Sequence, residues 1–369
     1  MASTSAARSS HERAQRANQR AGSSWRRRAQ RGEAMSELVG AGPLGPLLAV
    51  PEVTDVLVNG VQVWTDRGSG LVREPFTMPS ADAVRRLAQR LAAACGRRLD
   101  DGQPYVDARL ADGTRLHAVL PPVATAGPYL SLRTFRQRPM ALADLVPPET
   151  AGLLSAIVAA RLTFLISGGT GSGKTTLLGA MLAAVPGRER IVLVEDSAEL
   201  RPAHPHVVTL QARTSNVEGA GVVGLDKLVR QALRMRPDRL VVGECRGAEV
   251  VDLLAALNTG HEGSAGTLHA NAPADVPARL EALGLLGGLP RPALHAQVAA
   301  AIRVLLHLRR TPSGRVLDEI CLLTPDGPER LVTARPVWRR DGAPLPAAAE
   351  LAALLRARDV TPPTWLETR

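Results

Sequence analysis

The sequence predicts an α/β protein in two folded parts: a small N-terminal α+β domain, then a larger domain with a mostly parallel central sheet. Three observations carry this reading. The chain has 369 residues, more than the roughly 100 to 200 of one average domain. From about Glu149 onward, helical patterns alternate with short apolar runs at Leu162–Ile166, Ile191–Val194 and Leu240–Val242, as expected of parallel strands buried on both faces. Hydrophobic residues make up 45% of the chain but aromatics only 2%, which describes Ala/Leu/Val packing and not a stacking platform for nucleic-acid bases.

The elements follow in order. Residues 1–34 are rich in Ser, Ala, Gln and Arg without apolar periodicity, which predicts a disordered basic arm. Residues 35–135 hold strand-like pieces at Val56–Val58, Val61–Trp64, Arg115–Leu120 and Leu130–Phe135 around a helical pattern at Ala81–Ala94, hence the small α+β domain. Residues 136–148, with three prolines and a charged cluster, read as a linker. Residues 149–320 form the domain with the alternating pattern. Residues 321–369 form a C-terminal extension with hairpin-like pieces and an Ala/Leu helix at Pro346–Arg356. No internal repeat is visible.

Net charge is +10, and it is unevenly spread. The arm holds eight Arg against two acids (+6), leaving +4 for the remainder. The body is therefore nearly balanced, which argues against nucleic acid as a partner. Of 45 basic residues only Lys174 and Lys227 are lysines, so a lysine inside a motif is informative. Cys95, Cys245 and Cys321 are scattered with no CxxC pair, which predicts neither a disulfide framework nor a tetracysteine zinc site and fits a reducing cytosol. No uncharged apolar run approaches the ~18–20 residues that span a bilayer. A cytoplasmic chain docking on a membrane complex is the expectation.

The segment LTFLISGGTGSGKTTLL (Leu162–Leu178) carries a G-x-x-x-x-G-K-T pattern at Gly168, Gly173, Lys174 and Thr175. Its context is specific: an apolar strand leads in and a helix-forming stretch (Thr176–Ala184) leads out, so loop N–H groups converge on the positive end of a helix. The loop Gly168, Gly169, Thr170, Gly171, Ser172, Gly173 is expected to wrap phosphate, with Lys174 as a point charge, Thr175 as a Mg²⁺ ligand and Thr176 following it. By itself this loop permits a kinase, a GTPase or a transport motor.

The second run ends in Glu195, Asp196 and Glu199, carboxylates at the ligand-binding edge of a parallel sheet. The alternative is a helix cap by Asp196 with Glu199 three residues on. The third run ends in Gly243–Glu244, placing Glu244 to orient a water and support Mg²⁺, while Arg246 pairs with a nearby acid. His261 and His269, eight residues apart among small residues, lack the third donor a zinc site wants. Each is either a satisfied core residue or a sensor of the terminal phosphate.

Together GGTGSGKTT, LVEDSAEL, MRPDRLVVGECRGAEV and NTGHEGSAGTLHAN resemble the Walker A, Asp-box, atypical Walker B and His-box set of the secretion ATPase superfamily of type II secretion, type IV pili and type IV secretion. Upstream, VDARLADGTRLHAVLPPVA followed by GPYLSLRTF is similar to the N-terminal domain of these proteins, above all the tight-adherence (Tad/Flp) pilus branch. The resemblance spans roughly residues 45–320. It implies a RecA-like C-terminal domain, a homohexameric ring with ATP and Mg²⁺ between the two domains, and an inner-membrane platform protein as partner. It further implies catalytic roles for Glu244, Glu195, Glu199, His261 and His269, and places Arg115 and Arg133 at the nucleotide. The tetracysteine zinc insert of many relatives is absent, which favours the Tad/Flp or type IV secretion branches. The expected activity is thus an ATP-hydrolysing motor for pilus assembly or secretion. A conjugation ATPase exporting protein or DNA–protein cargo is the nearest alternative, and a P-loop nucleic-acid-binding protein a more distant one.

Overall fold

The computed structural model describes residues 40–68, 70–134, 140–213, 221–311, 314–340 and 345–367. The basic arm and part of the expected linker lie outside them. The chain divides into two compact units, Met1–Arg136 and Gln137–Arg369.

In the first unit a one-turn helix α1 (Gly45–Leu48) precedes β1 (Asp55–Asn59), β2 (Gln62–Asp66), β3 (Leu71–Thr77), helix α2 (Ala81–Ala94), β4 (Tyr105–Arg109), β5 (Arg115–Val119) and β6 (Tyr129–Arg133). The strands form one sheet in the order β3-β2-β1-β6-β5-β4, antiparallel throughout. Alternation decides its faces. Val56 and Val58 point inward with Leu116, Ala118, Leu130 and Leu132, while Asp55, Arg115 and Arg133 fall on the other face. Helix α2 covers the apolar face with Val84, Leu87, Ala88, Leu91 and Ala92, a stripe at helical spacing. Ser80 starts it, its Oγ accepting the Ala83 N–H at 3.1 Å. Strands β3 and β4 do not stand out in the sequence. Both lie at sheet edges, and β3 carries Pro75, which an edge tolerates.

The second unit runs α3 (Leu142–Leu145), α4 (Pro148–Ala159), β7 (Phe164–Gly168), α5 (Lys174–Ala183), β8 (Ile191–Glu195), β9 (Val207–Gln211), α6 (Leu225–Leu233), β10 (Arg239–Cys245), α7 (Glu249–Leu257), β11 (Ala265–Leu268), α8 (Val276–Leu286), α9 (Arg291–Ala301), β12 (Val304–Thr311), β13 (Gly314–Asp326), β14 (Leu331–Arg339) and α10 (Ala348–Arg356). Its sheet has the order β14-β13-β12-β7-β11-β10-β8-β9. Pairing is parallel from β9 to β12 and antiparallel across β12, β13 and β14. Phe164 and Ile166 of β7 pack into one core layer with α4, α5 and α10, whereas Leu165 packs into the opposite layer with α6 to α9. Burial on both faces is the reason these strands read as unbroken apolar runs.

Two expected boundaries shift. The stretch taken as linker contains α3 and the start of α4, and its Leu142 and Val146 belong to the core. The boundary between residues 320 and 321 falls inside β13, where Ile320, Cys321 and Leu322 are all buried. The C-terminal segment therefore completes the main sheet and is no separate extension. Antiparallel hairpin strands lack the helix alternation that marked the parallel part.

One buried cation ties the edge of this sheet together. Arg239, at the start of β10 and 1% exposed, donates Nε–H to Glu189 Oε2 at 2.7 Å and uses its two Nη atoms on the carbonyls of Gly263 (3.2 Å) and Val158 (2.9 Å). Removing one partner of a buried pair leaves an uncompensated charge and costs about 3–5 kcal/mol. Arg239→Leu should therefore lower the unfolding free energy measured in urea by a comparable amount. A loss below about 1 kcal/mol would show that Arg161, which also reaches Glu189 at 2.9 Å, carries the charge alone.

Candidate active site

At the C-terminal end of β7 the backbone turns through Gly168, Gly169, Thr170, Gly171, Ser172 and Gly173 into α5. Gly168, Gly171 and Gly173 have φ of 149°, 71° and 98°, conformations that L side chains rarely adopt. Gly168 is also sterically fixed. A Cβ there would sit 2.4 Å from the Leu308 carbonyl oxygen and 2.6 Å from Ser172 Oγ.

Lys174 opens α5 and is buried, with Nζ donating to the carbonyls of Gly168 (2.9 Å) and Gly169 (3.0 Å). Burial lowers its pKa, opposed by the nearby Glu244 carboxylate. From Nζ a polar chain runs across the strand ends. Lys174 Nζ lies 3.4 Å from His269 Nδ1, His269 Nε2 lies 2.6 Å from Glu244 Oε1, and Glu244 Oε2 accepts from Arg246 Nη2 at 2.5 Å. Arg246 Nη1 reaches Asp196 Oδ2 at 3.5 Å. Burial, and then the Lys174 charge, hold the His269 imidazole below its ordinary value. A neutral ring suits the lysine contact, in which Nδ1 accepts, while Nε2 stands close to Glu244 Oε1 without hydrogen-bond geometry.

Register explains why these groups meet. Ser167 pairs with Leu268, Leu268 with Cys245, and Val242 with Val194, so β7, β11, β10 and β8 end side by side at the edge where parallel sheets hold ligands. Thr267 Oγ1 donates to the Gly243 carbonyl at 2.6 Å, fastening β11 to β10 beside Glu244.

The remaining expected residues fall elsewhere. Glu195 is buried against Gly243, where a Cβ would lie 2.7 Å from Glu195 Cγ, and its Oε1 accepts the N–H groups of Glu199 (2.9 Å) and Leu200 (3.0 Å). The carboxylate shapes the chain after β8, and no helix starts at Asp196, so the capping alternative does not hold. Glu199 contributes negative field at Arg246. His261 is not brought to the loop. It precedes β11, at the end opposite His269, with Nδ1 3.1 Å from the Ala256 carbonyl at the close of α7. Arg115 and Arg133 belong to the first unit, where Arg109, Arg115 and Arg133 stand directly opposite one another across β4, β5 and β6. Arg133 lies 3.9 Å from Asp55. Asp112 holds the preceding turn through the Thr114 N–H and hydroxyl at 2.9 and 3.0 Å.

One supporting residue went unread in the sequence. His307 of β12 is buried, with Nδ1 2.9 Å from Ser167 Oγ immediately before the loop. The signal was a histidine inside the apolar run VLLHL.

The loop fits a nucleotide triphosphate. Its glycines leave the backbone bare, Lys174 supplies the charge, and Ser172 Oγ is buried without a hydrogen-bond partner among the described residues. The half-buried Thr175 hydroxyl and the Glu244 carboxylate are hard oxygen donors, the type that Mg²⁺ takes together with phosphate oxygens and water. Among the described residues no three His, Cys, Asp or Glu side chains form a metal cluster, and no helix is long and apolar enough to cross a membrane.

Residues 37–335 match the family model described as Type II/IV secretion system protein. The chain belongs to this secretion family. A putative conjugal transfer protein of Mycobacterium tuberculosis is 59% identical over 336 residues, covering 88% of this chain and 95% of the relative. The type IV secretion system protein PtlH of Bordetella pertussis is 32% identical over 343 residues, covering 82% and 95%. The Legionella pneumophila ATPase DotB shares the fold, with TM-score 0.57 at 22% identity, covering 78% of this chain and 81% of DotB. The α/β architecture with a largely parallel second sheet is thus one that DotB also has.

Gly168→Ala tests the cradle of this secretion-family chain. The added methyl meets a backbone carbonyl that cannot retreat without moving β12, so the loop must deform. Backbone strain of this kind is worth on the order of 1–3 kcal/mol. Titration with a fluorescent ATP analogue should show at least about a tenfold loss of affinity. Affinity equal to that of the unsubstituted protein would show that the ligand does not use this loop.

Proposed function

We propose that this chain is an ATP-hydrolysing motor, working as a homohexameric ring on the cytoplasmic face of a secretion or pilus machine and docking there on an inner-membrane platform protein. The polar chain Lys174–His269–Glu244–Arg246 at the phosphate loop carries the reading. It joins the residue that would hold the terminal phosphates to the carboxylate that would orient the attacking water. In the nucleotide-bound state Lys174 exchanges the two loop carbonyls for phosphate oxygens. His269, released on its Nδ1 side, then reports occupancy to Glu244 through the close approach of its Nε2. Bound Mg²⁺ would neutralise phosphate charge, with Thr175 as its protein ligand and Glu244 supporting it through water. Arg115 and Arg133 would add cations to the transferring phosphoryl group. Glu195, committed to backbone N–H groups, supports the site without replacing Glu244.

The names of the M. tuberculosis and B. pertussis relatives support a conjugal-transfer or type IV secretion machine. The stretch VDARLADGTRLHAVLPPVA supports the Tad/Flp pilus machine. Deleting the gene separates the two: loss of surface pili with cargo transfer intact favours the pilus machine, and the converse favours export.

Lys174→Ala should abolish phosphate release and weaken nucleotide binding. Glu244→Gln should retain binding and reduce turnover by at least about a hundredfold, because the amide keeps the shape and loses the charge. Turnover of Glu244→Gln within about threefold of wild type would remove the carboxylate from the chemistry.

For the arginines, Arg115→Ala and Arg133→Ala should depress turnover far more than binding, since arginine fingers are worth ~10³–10⁵ in rate. Mixing Arg133→Ala with Lys174→Ala chains should restore activity if the arginine serves a neighbouring subunit. Unchanged turnover in both single variants would leave only their structural role in the first unit's sheet.

A further inference from the structure

The phosphate loop has two flanks. On one, β11 and β10 supply His269 and Glu244. On the other stands β12, whose Leu308 is paired with Gly168, and β12 continues into a hairpin with β13 through the pairs Arg310↔Arg315 and Thr311↔Gly314. Arg315 of that hairpin lies over the loop. Its Cδ is 3.3 Å and its Cβ 3.8 Å from the point a Cβ on Gly173 would occupy, so its aliphatic stem rests on the residue just before Lys174. The side chain is exposed. Other arginines of these strands are paired, Arg309 with Asp318 at 2.9 Å and Arg339 with Glu319 at 3.3 Å. Among the described residues Arg315 has no carboxylate partner, and directly across the hairpin it faces another arginine, Arg310. Two like charges opposite each other destabilise a hairpin. An exposed guanidinium in that position is open to an anion, and the loop read above as holding phosphate is next to it.

We propose that Arg315 is a nucleotide-binding residue that contacts the proximal phosphates, those shared by ATP and ADP. The flank decides which phosphates. The terminal phosphate must face Lys174, His269 and Glu244, whereas Arg315 approaches at Gly173 from the opposite side. An arginine there clamps the part of the ligand that does not react, and it strengthens ground state and transition state alike. This rests on the nucleotide reading above, so the experiment includes a variant that tests that reading separately.

Titrate the full-length protein, its Arg315→Ala, Arg315→Lys and Lys174→Ala variants with fluorescent ADP and ATP analogues. Arg315→Ala should weaken both nucleotides by the same factor, about tenfold as for one charge-assisted hydrogen bond, and Arg315→Lys should recover part of it. KM for ATP should rise by that factor, with kcat changing less. Arg315→Gln keeps the stem on Gly173 and replaces the alanine variant in the comparison if the latter melts earlier without nucleotide. Affinities within about twofold of wild type for both nucleotides, alongside lost binding in Lys174→Ala, overturn the assignment of Arg315 and leave the loop standing. A loss confined to ATP overturns it also, since the guanidinium would then sit on the terminal phosphate. Wild-type binding by Lys174→Ala overturns the nucleotide reading itself.

Discussion

A buried ammonium organises this protein. Lys174 sits at the junction of β7 and α5 with little access to water, and a desolvated charge of that kind is penalised by several kcal/mol unless oxygens surround it. The loop supplies them by curling back so that the Gly168 and Gly169 carbonyls face Nζ. That curl forces positive φ at three glycines, and it brings the loop so close to β12 that no side chain fits at Gly168. The motif's residue types are therefore consequences of solvating one cation with backbone. The same carbonyls hold the lysine poised, because a phosphate oxygen competes for a site already shaped for anionic or dipolar partners.

Neighbouring strands adapt to that centre by thinning their side chains. Gly243 leaves room for the Glu195 carboxyl, Gly266 admits Leu165 at close range, and Thr267 spends its hydroxyl on the Gly243 carbonyl. Close packing lets β7, β11 and β10 end within one chain of polar contacts. His307 performs a related task from β12, holding Ser167 below the loop. The edge behaves as a connected unit, since shifting His269 would alter the environment of both Lys174 and Glu244.

Much of this was legible in the sequence where chemistry and periodicity coincide. Continuous apolar runs identified β7, β8 and β10 because burial on both faces leaves no polar alternation. Helix α2 was legible from its stripe, and the loop from its glycines. Strand β11, AGTL, was silent because it was selected for small size at a crowded place, and small residues carry little strand signal. The antiparallel strands β13 and β14 were missed as part of the main sheet because nothing local distinguishes a hairpin that joins a parallel sheet from one that stands apart. Carboxylate roles were the hardest to read. Glu195 and Glu244 both follow apolar strands, yet one faces inward to backbone N–H groups and the other outward to His269. Only the register of β8 against β10 separates them.

Charge balance limits what the strand ends of the second unit offer an anion. Within that edge Arg246 is already engaged by Glu244 and Asp196, and His269 is held neutral, which leaves Lys174 as the principal charge facing a triphosphate with several negative charges. Mg²⁺ would offset part of this load, and Arg315, exposed beside Gly173 on the other flank of the loop, is a further cation of the same unit.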